Sequence, residues 1–161
     1  MKPDTLNEQV GILTRREIEA RILKPFYEAV ASELGEEKAG TLLRDIVIDA
    51  AKDLGAAMRE RAEDDGLEAF AAQWEPWFRG GALEIETLEQ NGTTWAFNVT
   101  RCRYAELYKD LGMAELGATL SCNRDGALVE GYSEDIRFKR TQTIMQGASC
   151  CDFRYTKRGE S

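Results

Sequence analysis

Residues 83–102 read LEIETLEQNGTTWAFNVTRC. From Leu83 to Leu88, apolar and polar residues alternate, which predicts a half-buried β-strand. Asn91-Gly92 is the dipeptide most typical of a tight hairpin turn, and the alternation returns over 94–99. The stretch therefore predicts an antiparallel hairpin, and it marks the point at which the chain changes from helices to sheet.

The chain before the hairpin has the periodicity of helices. Thr14-Arg-Arg-Glu17 has the pattern of a capping box, which predicts that a helix begins there, and Pro25 is expected to kink or divide it. Further helices are expected over 37–63 and 67–78. The apolar residues of the first helix recur every three or four positions and are expected to form one buried stripe: Ile18, Ile22, Phe26, Ala29, Val30 and Leu34.

After the hairpin, short helices precede further strands. The spacing of apolar residues predicts helices over 104–111 and 113–120. Asp125-Gly126 is typical of a turn. Alternation predicts the remaining strands, which are 136–140, 143–145 and 152–155.

These elements predict an α+β fold, in which an N-terminal helical layer packs on an antiparallel sheet interrupted by short helices. We expect a single domain over residues 1–161, because this length is typical of one domain. Within it, residues 1–13 form a loose lead-in, 14–79 the helical part, and 82–157 the sheet-containing part with the cysteines.

The composition disfavours several classes of partner. The formal net charge is −8, and an acidic surface disfavours nucleic acid and anionic membranes. No apolar run approaches the roughly 20 residues of a membrane span, and the first residues have no apolar leader segment. We therefore expect a cytoplasmic protein whose partner is a small molecule.

The chain contains no histidine. This excludes Ser-His-Asp and Cys-His catalysis and every zinc site that needs imidazole. Thiols stay reduced in the cytoplasm, so the four cysteines are expected to be free thiols, metal ligands or a nucleophile. Catalysis would have to use Cys, Asp, Glu, Lys, Tyr or Arg, or a metal bound without imidazole.

Cys102 is the first candidate nucleophile. It follows a predicted strand and precedes a predicted helix, and a helix N-terminus lowers the pKa of a thiol. The neighbouring Arg101 and Arg103 are expected to lower that pKa further. The alternative is that Cys102 is a small buried apolar residue.

The other cysteines supply further candidates. Cys122 lies three residues before Asp125, and Cys150-Cys151 precedes the last strand. Adjacent residues of an extended chain point to opposite faces, so only one of that pair can share a pocket with Cys102, and we favour Cys151. The spacings are not those of a CxxC zinc site, so no cofactor is expected. The alternative is a metal ion held by Cys102, Cys122 and Cys151.

Arg140, Asp125 and Asp152 complete the candidate site. An arginine can meet a carboxylate with two parallel hydrogen bonds, so Arg140 is a candidate for binding an acidic substrate; the alternative is an ion pair within the protein. Asp125 and Asp152 are candidate general bases. The alternative for Asp125 is a structural role in a turn at Asp125-Gly126. The alternative for Asp152 is a structural role at the edge of a strand.

Two longer patterns contain these residues. Residues 102–125 fit C-x-Y-A-E-L-Y-x-x-L-G-x-x-E-L-G-x-x-L-x-C-x-x-D, and residues 140–155 fit R-x-x-T-I-x-x-G-x-x-x-C-D-F-R-Y. Together they resemble the L-2-amino-thiazoline-4-carboxylic acid hydrolase family over residues 97–155, with a similar helical lead from residue 15. The matching positions are Cys102, Tyr104, Gly112, Glu115, Cys122, Asp125, Arg140, Gly147, Cys151, Asp152 and Phe153.

This resemblance implies a small bacterial hydrolase of cysteine biosynthesis. The family reaction adds water to a cyclic isothiourea, L-2-amino-thiazoline-4-carboxylate, and gives N-carbamoyl-L-cysteine. We expect a thiolate to attack the carbon between the heteroatoms, with Cys102 as the first choice. The expected roles are catalysis by Cys102, Cys151, Asp125 and Asp152, and binding of the substrate and its carboxylate by Arg140, Tyr104 and Cys122.

Two alternatives remain open. A metal-bound hydroxide held by the thiolates would replace the nucleophile. More loosely, the order of elements is similar to that of 4-vinyl-reductase-type small-molecule-binding domains, which implies a non-catalytic sensor or accessory module whose cysteines line the pocket. A homodimer is compatible with each of these functions.

Overall fold

The computed structural model describes residues 4–158. It confirms the α+β class, because helices come first and a four-stranded antiparallel sheet of order β1-β2-β4-β3 follows, interrupted by short helices. The strands are β1 Leu83–Gln90, β2 Thr94–Cys102, β3 Ile136–Lys139 and β4 Cys151–Lys157. The α-helices are α1 Leu6–Val10, α2 Ile12–Leu34, α3 Glu36–Arg61, α4 Leu67–Ala72, α5 Glu75–Phe78, α6 Arg103–Asp110, α7 Ala114–Gly117 and α8 Asn123–Tyr132.

The hairpin forms where the sequence predicts it. β1 pairs with β2 in antiparallel register, and the Asn91 side chain accepts hydrogen bonds from the backbone of Thr93 at 2.9 Å and Thr94 at 2.8 Å. The expectation that β1 is half buried is wrong, because β1 is an edge strand with almost every residue exposed. The buried part of the hairpin is β2, which lies inside the sheet.

β4 lies between β2 and β3. Its register places Cys151 opposite Val99, and Phe153 opposite Phe97. Because β2 ends at Cys102 and β4 begins at Cys151, the pairing brings both thiols to the same end of the sheet. This long-range pairing is the main reason that distant parts of the chain share one site.

α2 begins earlier than the capping pattern predicts. The helix starts at Ile12, directly after Gly11, so Thr14–Glu17 lies inside it and does not cap it. It also continues through Pro25, which is exposed.

The buried face of α2 is not the predicted stripe. The residues of this helix that are fully buried are Ile12, Arg16 and Ala20. The predicted buried stripe is wrong, because its four largest side chains are 48–71% exposed: Ile18, Ile22, Phe26 and Leu34. The helix turns a shorter face with a buried arginine toward the protein interior instead.

α3 packs closely against α8 through two glycines. A Cβ at Gly55 would collide with the carbonyl oxygen of Leu128, and a Cβ at Gly131 would collide with that of Lys52. The absence of side chains lets the two backbones approach each other. This contact positions α8, which carries two residues of the site described below.

Three local expectations differ from the structure. The predicted helix over 67–78 is two helices, α4 and α5, with a break before Trp74. Residues 144–146 form a 3₁₀ turn, so the strand expected over 143–145 is wrong. Asp125 does not lie in a turn but in the first turn of α8, which follows a π-helical turn at Ala118–Cys122.

The main core lies between the sheet and the helices. It contains many aromatic side chains, among them Phe70, Trp74, Trp95, Phe97 and Tyr155, whose rings pack in both edge-on and stacked arrangements. Such rings exclude water from the core, and Trp74 also lines the cavity described below. No helix within residues 4–158 has the length and apolar character that crossing a membrane needs.

Candidate active site

An interior cavity brings most of the predicted site residues together. Its volume is about 50 Å³, well below the roughly 150 Å³ of a cavity that holds benzene. A small ring ligand therefore requires outward movement of the wall side chains. The cavity is lined by Ile12, Arg16, Ala51, Leu54, Trp74, Trp77, Leu83, Val99, Cys102, Tyr104, Ser121, Cys122, Arg124, Asp125, Leu128, Arg140, Cys151 and Phe153.

Cys102 lies in the cavity wall at the end of β2, immediately before α6, as predicted. Its environment differs from the expected one. Burial raises the pKa of the Cys102 thiol to about 11, although the backbone N–H groups of Ala105 and Tyr104 oppose the rise. The thiol is therefore protonated at neutral pH.

The two flanking arginines do not activate Cys102. The guanidinium of Arg101 binds Glu106 at 2.8 Å and Glu84 at 3.3 Å on the surface. Arg103 donates to the carbonyl oxygen of Gly80 at 2.7 Å. The expectation that these charges lower the thiol pKa is wrong, because adjacent residues of the chain point to different sides of the element end.

Cys122 and Cys151 line the same cavity as Cys102. Burial, with the charge of Asp125 as the second cause, raises the pKa of Cys122 to about 12. Burial also raises the pKa of Cys151, whose Sγ accepts a hydrogen bond from the Ile144 backbone N–H at 3.1 Å. The three thiols are therefore neutral groups of the cavity lining, with Cys151 buried and the other two part-buried.

Cys150 lies outside the cavity lining, and its Sγ is 3.1 Å from the Nε2 atom of Gln142. The side chains of Cys150 and Cys151 thus lie on different sides of the chain, as those of adjacent residues in an extended segment do.

The described part of the chain has no group of three or more Cys, Asp or Glu side chains arranged to hold a metal ion. Cys102, Cys122 and Cys151 line one cavity but do not form such a group in this structure. No step of the chemistry below uses a metal.

Asp125 and Arg140 form a part-buried ion pair in the cavity wall. Arg140 also donates to the carbonyl oxygen of Cys122 at 3.0 Å, and its guanidinium lies 5.3 Å from the ring centroid of Phe153 and 5.4 Å from that of Phe138. Burial raises the pKa of Asp125 to about 6, although the charge of Arg140 opposes the rise. Asp125 is therefore mostly ionised at neutral pH and is a base close to its working range.

Asp152 does not line the cavity. Its carboxylate accepts hydrogen bonds from the backbone N–H groups of Thr141 and Gln142, each at 2.9 Å, and from the Thr141 hydroxyl at 2.5 Å. Although burial alone would raise its pKa, these hydrogen bonds lower it below the ordinary value. Asp152 therefore holds the segment after Arg140 in place and has no geometry for proton transfer in the cavity.

Two arginines of the cavity wall carry no sequence motif. Arg16 lies on the buried face of α2, and Arg124 lies on α8 beside Asp125. The sequence contains one signal for Arg16. It lies four residues after Ile12 and four before Ala20, so the three residues share one face of the helix. That signal requires knowing which face of α2 is buried, and the apolar stripe indicates the opposite face.

Tyr104 and Trp74 add polar atoms to the lining. The Tyr104 hydroxyl donates to the carbonyl oxygen of Trp77 at 3.0 Å, and burial raises its pKa well above the ordinary value. The indole N–H of Trp74 is buried and has no hydrogen-bond partner within the described residues. Tyr104 is thus held within the protein, whereas Trp74 retains a free donor.

The structure is that of an α+β protein with a cavity whose polar lining includes three thiols, one carboxylate and three arginines. Residues 15–155 match the family model described as L-2-amino-thiazoline-4-carboxylic acid hydrolase, and the chain belongs to this family. The name of the family is that of a hydrolase. No curated protein matches the chain.

Two solved structures are similar in overall arrangement. One is a trafficking protein particle complex subunit 3 from Naegleria fowleri covalently bound to palmitic acid, with 8% identity, a TM-score of 0.49, and coverage of 89% of this chain and 97% of that one. The other is the phenol-responsive sensory domain of the transcription activator PoxR with phenol, with 12% identity, a TM-score of 0.44, and coverage of 84% and 73%. At this level of similarity neither structure bears on the function of the chain.

Proposed function

We propose that the protein is a hydrolase that opens a small cyclic amidine bearing a carboxylate, such as L-2-amino-thiazoline-4-carboxylate, to give N-carbamoyl-L-cysteine. The observation that carries this proposal is the cavity, whose lining combines the Cys102 thiol, an ionised carboxylate and several arginines with apolar side chains. Membership of the hydrolase family supports the reaction class.

The residues supply a two-step route through the carbon between the heteroatoms. The sulfur of Cys102 bonds to that carbon, the ring carbon–sulfur bond breaks, and the ring sulfur leaves as a thiol. The resulting isothiourea joins the substrate to Cys102. Water then adds to the same carbon and Cys102 leaves as a thiol, so the product has gained one molecule of water.

Asp125 is the group that moves the protons. Because the pKa of Cys102 is raised to about 11, its thiol must lose its proton when substrate is bound. Asp125, with a pKa of about 6, is ionised at neutral pH and accepts that proton, which then goes to the departing ring sulfur. In the second step Asp125 accepts a proton from the attacking water and passes it to the sulfur of Cys102 as that thiol leaves. Cys151 is the second choice of nucleophile, because the Ile144 N–H favours its thiolate.

A binding module without turnover is the second candidate. The raised pKa values of Cys102, Cys122 and Cys151 favour it, since a resting nucleophile is usually a low-pKa thiol. In that case the three neutral thiols would be part of an apolar lining that recognises a small ligand.

The first experiment is mass spectrometry of L-2-amino-thiazoline-4-carboxylate incubated with the purified protein. We expect a product that has gained one water, and we expect Cys102→Ala to reduce its rate by on the order of 10³-fold or more. Cys150→Ala is the matched control, because Cys150 lies outside the cavity lining, and it should retain the wild-type rate. Turnover by Cys102→Ala would remove Cys102 as the nucleophile. Ligand binding without any product would favour the binding module.

A further inference from the structure

The arginines that line the cavity outnumber the carboxylates that contact them. Glu19 accepts from Arg15 at 2.9 Å and from Arg16 at 2.6 Å, and it lies 3.5 Å from Arg124. Arg15 has a second carboxylate, Asp4, at 2.8 Å. Arg16 and Arg124 therefore share Glu19 with a third arginine, and neither forms an ion pair with another carboxylate of residues 4–158.

Water has little access to either guanidinium. Arg16 is 4% exposed, and the Arg124 side chain is 16% exposed. Burial lowers the pKa of Arg124 to about 10, with the charge of Arg16 as the second cause. Two neighbouring cations, Arg16 buried and Arg124 part-buried, with one shared carboxylate form a site in which an anion is favoured.

The rest of the cavity does not supply that anion. Asp125 is paired with Arg140, which has no other carboxylate contact among the described residues. Glu19 and Asp125 thus face three lining arginines, which leaves an excess of one positive charge. The unpartnered indole N–H of Trp74 in the same lining is a further donor that a ligand acceptor would satisfy.

We propose that Arg16 and Arg124 form the carboxylate-binding subsite of the cavity, and that Arg140 remains the partner of Asp125. The ligand class is a small organic acid with one carboxylate on a compact, largely apolar body, because the other walls are formed by side chains such as Ile12, Leu54 and Val99. The choice of ligand class rests on the proposed function, but binding at this subsite does not require turnover. The role that the sequence suggests for Arg140 passes to two residues on α2 and α8.

The test uses a ligand that cannot be hydrolysed. Thiazolidine-4-carboxylate has the ring and the carboxylate but lacks the amidine carbon, and its carboxamide removes only the charge. We expect calorimetry to show that the wild-type protein binds the acid at least about tenfold more tightly than the amide, as hydrogen bonds to charged groups imply. In Arg124→Gln this preference should disappear while binding of the amide is unchanged.

Three further variants make the result specific. Arg21→Gln removes an exposed arginine that is paired with Glu17, and it should behave as wild type. Arg16→Gln should repeat the effect of Arg124→Gln, and Arg124→Lys, which keeps the charge, should retain part of the preference if Arg124→Gln fails to fold. In Arg140→Gln the preference for the acid should remain.

Several results would overturn the subsite. These are equal binding of acid and amide by wild type, no binding of the acid, an unchanged preference in both Arg16→Gln and Arg124→Gln, or its loss only in Arg140→Gln. Inorganic phosphate binding as tightly as the acid would also overturn it, because the site would then be a general anion site. A protein that prefers the acid but forms no hydrolysis product would contradict the proposed reaction and leave the subsite standing.

Discussion

Asp125 shows how burial changes the role of a single residue. The dipeptide Asp125-Gly126 is typical of an exposed turn, yet the carboxylate lies in the cavity wall beside Arg140. Burial raises its pKa from 3.8 to about 6. The shift brings the pKa of Asp125 to about one unit below neutral pH. A pKa near the working pH is the one that suits a group that transfers protons.

The pH dependence of activity should report this group. Because Asp125 accepts a proton in its ionised form, kcat/KM is expected to rise as pH increases through about 6 and to level off above it. Asp125→Asn should remove this rising limb and lower kcat/KM by roughly 10²- to 10⁴-fold. A rate profile from pH 4 to 8 for both proteins is the measurement, since this range lies on either side of the pKa of about 6. An unchanged limb in the variant would assign the ionisation to another residue.

The same pKa has a consequence for stability with a definite sign. Folding raises the pKa of Asp125, so the folded state favours its protonated form. The stabilising contribution of this group is present in full below 3.8 and is lost as pH rises through about 6. Asp152 has the opposite sign, because its pKa is lowered and its contribution is lost on acidification.

At the level of elements, the contact between α3 and α8 decides where the site forms. α8 carries Arg124 and Asp125, and its distance from α3 depends on the bare backbone of Gly55 and Gly131. From the sequence alone, Gly55 would only be expected to weaken the helix α3. In the structure it permits an approach that no side chain would allow.

Gly131→Ala is therefore expected to destabilise the protein by about 1–3 kcal/mol, because the new methyl group collides with the carbonyl oxygen of Lys52 and forces the helices apart. The measurement is the free energy of unfolding in urea. Gly40→Ala is the matched control in α3, since its Cβ would meet only the Tyr27 hydroxyl at 3.8 Å; it should be neutral or stabilising by up to about 1 kcal/mol. Equal stability of Gly131→Ala and wild type would show that the helices can separate without cost.

At the level of the whole molecule, α2 and α3 leave a large apolar surface uncovered. Six large apolar side chains of these two helices are each 43–71% exposed, and exposed apolar groups on this scale are typical of a protein interface. We expect a second copy of the chain to cover this surface. The six residues are Ile18, Ile22, Phe26, Leu34, Leu42 and Ile46.

Light scattering after gel filtration would test this expectation. The wild-type protein should have twice the mass of the chain, which is 18.1 kDa, and Ile22→Lys should shift it to the single-chain mass because a charge cannot be buried in an apolar interface. Leu88→Lys is the control, since Leu88 is also an exposed apolar residue, at 52%, but lies on the edge strand β1. A wild-type monomer would mean that this surface has another partner or none, and a dimer unaffected by Ile22→Lys would place the interface elsewhere.

The sequence by itself determined the features that depend on neighbouring residues. The α+β class follows from the change of period at Leu83, and the hairpin follows from Asn91-Gly92, because turn geometry and side-chain alternation are local properties. The position of Cys102 between a strand and a helix was predicted for the same reason. The family patterns also identified six residues of the cavity lining besides Cys102, which are Tyr104, Cys122, Asp125, Arg140, Cys151 and Phe153.

Only the tertiary structure decided which faces are buried and which charges meet. The stripe from Ile18 to Leu34 has helical spacing, but spacing does not say whether another element will cover it. Glu19 meets Arg124 across a long stretch of chain, and no local pattern encodes that contact. The raised pKa of Cys102 likewise reflects its burial, which only the packed structure produces. Burial and charge pairing depend on distances between elements, and those distances exist only once the helices and the sheet have packed.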